Sequence, residues 1–427
     1  MVIMEGIWVV SQLLDMIWVG RLGPDSIAGI GIANTFLALV YSVDLGMIVG
    51  VRAMIARYTG AGDIKGANHI TAQAMLFALA WGFFVMVAGT LLAGPILSLF
   101  GAEAEVLREG ISYMRLMLAG WVFFEVLVFG LYSLQSAGDT VTPMVIETSM
   151  RIVHMAFCPF LVLGLWFFPH MGVAGAALSN VGAQTLGCFA IAWIIFRGRS
   201  RLKVGLKDLR FAPRTMWRLL KIGIPALMMN IQSALGSNLL MRLVVPFGTI
   251  AVAAVSLISR VEMFLTVPGM GLGTGVGVMT GQNLGAGQPK RVAKTAWVAV
   301  AFVQAFLMIC CLGILLWAEE LLSIFTTDTA VIQLGAVLLR ISTAGYFVTS
   351  IAQIMQSCVA GAGDTIPIMI VSIMVIWIVQ LPLAFFLSRF TGLGIYGIRW
   401  AMAAGTAAST IAYLVYYLSG RWKTKTI

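Results

Sequence analysis

Twelve apolar stretches of roughly 20 residues or more occupy most of this chain, at approximately 1–19, 27–52, 70–100, 110–134, 144–168, 172–196, 215–245, 250–280, 293–324, 330–357, 367–389 and 395–419. Each is long enough to carry a helix across the hydrocarbon core of a bilayer, and a chain with so many has no soluble fold open to it. Composition agrees: 60% of the 427 residues are hydrophobic and 10% charged, where soluble domains carry about a quarter charged residues. The stretches are continuous rather than alternating, so a β-barrel, whose strands need only about ten residues, does not compete. The expected fold class is all-α integral membrane, with twelve transmembrane helices.

The chain also repeats itself. Gly46, Gly50, Val51, Met54 and the run Gly60-Ala61-Gly62 return without a gap, 225 positions on, as Gly271, Gly275, Val276, Met279 and Gly285-Ala286-Gly287. Ala137-Gly138-Asp139-Thr140 returns at the same offset as Ala362-Gly363-Asp364-Thr365. One unit of six spans is used twice, and because six is even, the second copy starts on the same side as the first. The repeats are parallel six-helix bundles, the plan of a two-lobed transporter with its pathway between the halves. The expected division is an N-lobe over 1–197, a basic cytoplasmic linker over 198–213 closed by Pro213, and a C-lobe over 214–427. Pro225 maps onto position zero of the first copy, so the first span, which also holds Glu5, reads as cut short; a misassigned start and a real short helix are both open. No basic segment precedes the first stretch, so a signal-peptide pattern is lacking.

The loops alternate in charge. Arg57 and Lys65, then nine Lys or Arg against the single acid Asp208 over 197–221, then Lys290, Arg291 and Lys294, then Arg421, Lys423 and Lys425 mark one side. Glu103, Glu105, Glu109, Glu319, Glu320 and Asp328 mark the other. The positive-inside rule puts both termini and the central loop in the cytoplasm of a cell whose inner membrane holds the chain. The net charge of +10 is then a topology signal and an attraction to anionic lipid. Nucleic-acid binding is excluded as a reading, because the basic residues are divided among short loops. Cys158, Cys188, Cys310, Cys311 and Cys358 all fall in apolar spans without metal spacing, and read as buried free thiols.

Ionisable groups inside a span are expensive and therefore point to a cavity or to a partner. Asp15 shares a helix face with Gln12 and Trp18, and reads either as a carboxylate binding a proton or Na⁺ or as an acid solvated near the interface. Glu147, Arg151, His154 and Cys158 are spaced 4, 3 and 4, which puts them on one face of the fifth span. Glu147 and Arg151 read either as site residues or as an ion pair that stitches the helix. His154 sits near mid-span at a depth similar to Asp15, and reads either as a proton relay with it or as a hydrogen-bonded structural residue. Glu125, Arg260, Glu262 and Arg340 are also embedded, and Arg260 and Glu262, two apart, each need a partner elsewhere. Arg52, Arg242 and Arg399 lie near span ends and are expected to snorkel. The Gly60-Ala61-Gly62 and Gly285-Ala286-Gly287 runs lack the Gly-Lys-Ser/Thr of a phosphate loop and read as helix C-caps.

With Asp15-Met16-Ile17-Trp18-Val19-Gly20-Arg21-Leu22-Gly23, Gly281-Gln282-Asn283 before Gly285-Ala286-Gly287, Arg260-x-Glu262 and Gly172-Val173-Ala174-Gly175-Ala176-Ala177, the whole chain resembles the multidrug and toxic compound extrusion family, closest to its DinF-like branch. The resemblance implies a secondary active antiporter that exports organic cations or amphipathic compounds in exchange for H⁺ or Na⁺ by rocking of two lobes. It implies an N-lobe ion-coupling set of Asp15 with His154 and Cys158, which stand where the family has an Asn and an Asp, and a sixth-span hydroxyl position taken by Asn180. The acids that the NorM-type branch carries in its C-lobe are absent around Gln232-Ser233 and between Tyr346 and Gln353. Loss of the second N-lobe acid favours H⁺ over Na⁺. Substrate contacts are expected from Gln12, Trp18, Glu147, Arg151, Tyr346 and Gln353, and structural roles from Arg260, Glu262 and the two Gly-Ala-Gly runs.

No cofactor or metal is expected beyond the coupling ion, and the partners are small organic molecules and membrane lipid, with the chain a monomer. The alternative carrier is a lipid-linked oligosaccharide flippase of the same superfamily, which needs several cations for pyrophosphate where Arg151 alone is a candidate. An intramembrane enzyme needs a nucleophile with its base or a metal cluster, and His154 has no partner at metal spacing in the sequence.

Overall fold

The computed structural model describes residues 2–427 apart from Phe100, Ala102 and Phe167, and leaves the side chains of Val2, Ile3, Glu5, Trp8, Val9, Leu13, Met16 and Leu206 outside the described set. The embedded acid Glu5 therefore lies outside what is described. Fourteen α-helices make up the described residues, with no strand among them. In chain order they are α1 (Val2–Gly20), α2 (Pro24–Gly60), α3 (Ile64–Ser98), α4 (Ala104–Ala119), α5 (Trp121–Ser136), α6 (Val141–Leu163), α7 (Gly172–Arg197), α8 (Pro213–Val244), α9 (Thr249–Gly285), α10 (Pro289–Ser323), α11 (Thr329–Gly361), α12 (Thr365–Met374), α13 (Leu381–Arg389) and α14 (Ile395–Ser419). Ten spans are long and apolar enough to cross a membrane, and α4 with α5 forms an eleventh. With α1, these fill all twelve expected stretches.

The chain divides into two compact units, Ile3–Lys221 and Ile222–Ile427. The 225-residue repeat is visible in their helix limits: Pro24–Gly60 corresponds to Thr249–Gly285, and Ile64–Ser98 to Pro289–Ser323. The caps correspond too. Gly62 and Gly287 take positive φ, 76° and 70°, and the amides of Asp63 and Gln288 reach back to Tyr58 O (2.9 Å) and Asn283 O (2.8 Å). The left-handed residue of each Gly-Ala-Gly run is thus its last glycine, while Gly60 and Gly285 close the helices.

The copies differ at two places. The expected single span 110–134 is broken at Gly120, where α4 and α5 meet at 53°. A Cβ at Gly120 would lie 2.4 Å from Val181 Cγ1, so α7 packs directly on the break. The counterpart, Gly345, sits inside the unbroken α11. In unit 2 the eleventh span instead widens into a π-helical stretch, Val375–Gln380, between α12 and α13.

Each unit has its own apolar core. In unit 1, Leu37, Val85, Leu97, Met114, Leu118 and Val173 gather α2, α3, α4 and α7. In unit 2, Ile258, Val303, Leu338, Leu339, Ile354 and Met355 centre the packing on α9, α10 and α11. The basic linker is fastened to unit 1: buried Gln73 on α3 donates to Arg210 O (2.7 Å) and accepts from Ala212 N (2.9 Å). The five cysteines are free, all buried except half-buried Cys310.

Candidate functional site

The buried residues of α6 are Pro143, Ile146, Met150, Arg151, His154, Cys158 and Val162, which include three of the four residues of the expected 4-3-4 stripe; Glu147 is half-buried at its edge. Inside unit 1 that face meets α1 and α7. His154 Nε2 lies 2.8 Å from Asp15 Oδ1, and its Nδ1 lies 2.7 Å from Ser179 Oγ on α7. His154 is 1% exposed, whereas the Asp15 side chain is a quarter exposed. Carboxylate oxygens only accept, so the 2.8 Å contact requires a proton between Oδ1 and Nε2, whichever group is taken to own it. Cys158, one turn along α6, and Tyr113 on α4 both fall within electrostatic reach of Asp15.

Asp15, His154 and Cys158 bring one donor atom each to within 4.8 Å of one another, a set of ligand types that suits a transition metal. This corrects the sequence expectation that His154 lacks a partner at such spacing, since the carboxylate comes from another helix. Both ring nitrogens are engaged in hydrogen bonds, Nε2 with Asp15 and Nδ1 with Ser179. On α7 the residue that reaches His154 is the neighbour of the expected Asn180. Ser179 meets His154, while Asn180 Oδ1 accepts from Gln184 Nε2 (2.8 Å) within α7.

A second acidic feature joins the embedded Glu125 to Asp44, which went unread in the sequence. Asp44 on α2 and Glu125 on α5, each 0% exposed, face one another, and Asp44 Oδ2 and Glu125 Oε2 have no donor among the described residues. Trp81 Nε1 donates to Asp44 Oδ1 (2.9 Å) and Trp121 Nε1 to Glu125 Oε1 (2.8 Å). Two carboxyls can bond to each other only if one is protonated, and a shared proton would satisfy both of these buried oxygens. Trp121 and Glu125 begin α5 just past the break at Gly120, and a Cβ on Gly82 of α3 would lie 3.0 Å from Glu125 Cγ. The available signal was an acid in the middle of the apolar stretch 27–52, two turns short of Arg52.

In unit 2, Glu262 finds the partner its position demanded. Arg399 Nη1 on α14 lies 2.9 Å from Glu262 Oε1, which also accepts from Tyr346 Oη (2.7 Å). Arg399 is 3% exposed, so it does not snorkel as expected; the carboxylate on α9 holds it inside. Arg52 is half-buried over the Tyr132 ring at 5.6 Å, Arg242 and Arg260 are exposed, and Arg340 pairs with Glu319 at 3.6 Å.

The expected substrate residues divide between the units, Gln12, Trp18, Glu147 and Arg151 in unit 1 and Tyr346 and Gln353 in unit 2. Glu147 and Arg151 are paired with each other at 2.9 Å in a largely buried setting, the stitching arrangement. Trp18 packs beside Val19, Cys158 and Val162 and carries Arg21 over its ring at 4.8 Å, while Gln12 is exposed. Tyr346 is held by Glu262, and Gln353 lines a cavity in unit 2.

A family model, MatE, matches residues 1–160 and 225–386. A probable multidrug resistance protein NorM from Thermotoga maritima is 25% identical over 420 residues, covering 97% of this chain and 89% of the relative. An FAD transporter from Shewanella oneidensis is 24% identical over 410 residues, covering 96% and 90%. Among solved structures, a MOP superfamily transporter from Pyrococcus furiosus shares the fold with a TM-score of 0.92 at 22% identity, over 100% of this chain and 94% of that one. An all-helical membrane chain built as two matching units, with this family model covering most of both, belongs to the MatE family of transporters.

Proposed function

We propose that the chain is a secondary active exporter of organic cations or amphipathic compounds, driven by H⁺ taken up at Asp15 and His154. The observation that carries this reading is the 2.8 Å contact between Asp15 Oδ1 and His154 Nε2, which joins α1 to α6 through a proton and leaves one side of the acid open. Adding or removing that proton changes the tie between the two helices. Exchange follows if proton and cargo favour different conformations, because a ligand shifts an equilibrium only by its differential affinity for the two states. An imidazole and a thiol beside a single carboxylate suit H⁺ better than Na⁺, which prefers a shell of oxygens. The membrane is the inner membrane of a bacterial cell, with both termini cytoplasmic by loop charge. The flippase reading loses support because its one candidate cation, Arg151, is engaged by Glu147.

The test is efflux of ethidium from proteoliposomes under an imposed pH gradient or an imposed Na⁺ gradient, for wild type and Asp15→Asn. Efflux driven by the pH gradient and lost in Asp15→Asn is expected. Efflux driven by Na⁺ alone, or unaltered in the variant, overturns the reading.

A further inference from the structure

Unit 2 contains a cavity of about 360 Å³ whose lining carries no charged side chain. Four helical segments each contribute one face: Asn230 and Ser233 from α8, Thr349, Gln353 and Gln356 from α11, Ser372 and Gln380 from the π-widened span, and Thr406, Ser409 and Tyr413 from α14. So dense a set of amides and hydroxyls within membrane spans marks a water-filled or ligand-bearing space rather than a lipid-facing surface. The backbone is shaped to the same end. The π-helical stretch Val375–Gln380, a rare form frequently found at functional sites, brings Val375, Ile376 and Gln380 into the wall together. Gly405 leaves the room that Gln380 occupies, since a Cβ there would lie 3.1 Å from Gln380 Cβ.

The hydrogen-bonding groups are unequally engaged. Thr349, Thr406 and Ser409 donate their hydroxyl protons to carbonyls of their own helices, at 2.9, 3.1 and 2.9 Å, so they face the cavity as acceptors. Asn230, Gln353 and Gln380 make no side-chain hydrogen bond among the described residues, and Gln356 Nε2 meets only the thioether of Met229, at 3.1 Å. Each free amide offers two donors and a carbonyl acceptor in one plane. Such a set pairs with a ligand that presents donors and acceptors along a flat edge. An organic cation would call for a carboxylate, and an anion for Lys or Arg.

We propose that this cavity is a binding site for uncharged planar heterocycles with a lactam or imide edge, of two or three fused rings, held by Gln353 and Gln380. The proposal rests on the exporter reading above and names a cargo class for it. The volume falls within the range of pockets that take small organic ligands.

The probe is lumichrome, a neutral tricyclic imide with its own fluorescence, titrated into the purified full chain in lipid nanodiscs without a gradient; ethidium serves as a flat cation of similar extent. Saturable lumichrome binding is expected, weakened roughly tenfold by Gln353→Leu and by Gln380→Leu. Gln380→Glu, which keeps the shape, is expected to weaken lumichrome and to strengthen ethidium. Absence of saturable binding to wild type overturns the proposal and leaves an aqueous vestibule. Binding indifferent to whichever glutamine variants elute as folded protein overturns it as well. Proteoliposome efflux of ethidium is read separately: wild-type transport without lumichrome binding sinks only this inference, and lumichrome binding without transport sinks only the exporter.

Discussion

Asp44 and Glu125 face each other from α2 and α5 with no solvent contact, each capped by the indole N–H of a tryptophan and each left with one buried oxygen that a shared proton would join. Asp44→Asn preserves the pattern, its carbonyl accepting from Trp81 and its amide donating to Glu125, and is expected to stay within about 1 kcal/mol of wild type. Asp44→Leu strands the Trp81 N–H and the Glu125 carboxyl, at a loss of about 2–4 kcal/mol. Thermal unfolding in detergent checks both; equal melting of the two variants would show that packing, not the shared proton, matters there.

His154→Ala is expected to lower pH-driven dye efflux at least about tenfold and to flatten its pH dependence, because it removes the partner that shares a proton with Asp15. Ser179→Ala leaves the ring without its Nδ1 partner and should shift the pH profile by a smaller amount, with Ser179→Thr restoring it. The groups facing this pair are Tyr113 from α4 and Cys158 from α6. A histidine variant with a wild-type pH profile would remove the relay while leaving Asp15 as the coupling group.

Arg399→Leu leaves Glu262 without its guanidinium. Breaking a fully buried pair costs about 3–5 kcal/mol; with the Glu262 side chain a quarter exposed, a loss of roughly 2–3 kcal/mol is expected. Arg399→Leu combined with Glu262→Leu should recover most of it. A double variant no more stable than the single one would mean that Arg399 acts through packing alone.

Asp139, in the loop between α5 and α6, gives an acid-side test. Burial raises its pKa, but bonds donated by Ser200 Oγ (2.6 Å) and by the Thr142 amide (3.1 Å) outweigh it and hold the carboxyl below its usual range. A depressed folded value means stabilisation that is present above the unfolded pKa of about 3.9 and is lost as pH falls through the folded value. Ser200→Ala should therefore lower the melting temperature at pH 7, by an amount that shrinks progressively as the pH is taken below the unfolded pKa. An equal decrease at every pH would assign the effect to packing.

The architecture was legible in the sequence because both of its determinants are local or periodic. Spans are read from apolar length, and the repeat from identities 225 positions apart, which return as the matching limits of α2 with α9 and α3 with α10. The Glu147-to-Cys158 stripe was likewise legible, since 3.6-residue periodicity fixes which side chains share a face. What tertiary structure decided is who meets that face. Ser179 rather than its neighbour Asn180 reaches His154, because one residue along a helix turns a side chain by about 100° and only the packing of α7 on α6 sets the phase. Asp44 stood in an apolar stretch with no polar neighbour at helical spacing, and Arg399 looked free to snorkel, because their partners Glu125 and Glu262 lie on other helices. The uncharged cavity of unit 2 needs four segments at once and a π turn that no residue pattern announces. Burial length and period are properties of one segment, which sequence carries; the pairing of buried polar groups belongs to several segments, and only their packing in three dimensions fixes it.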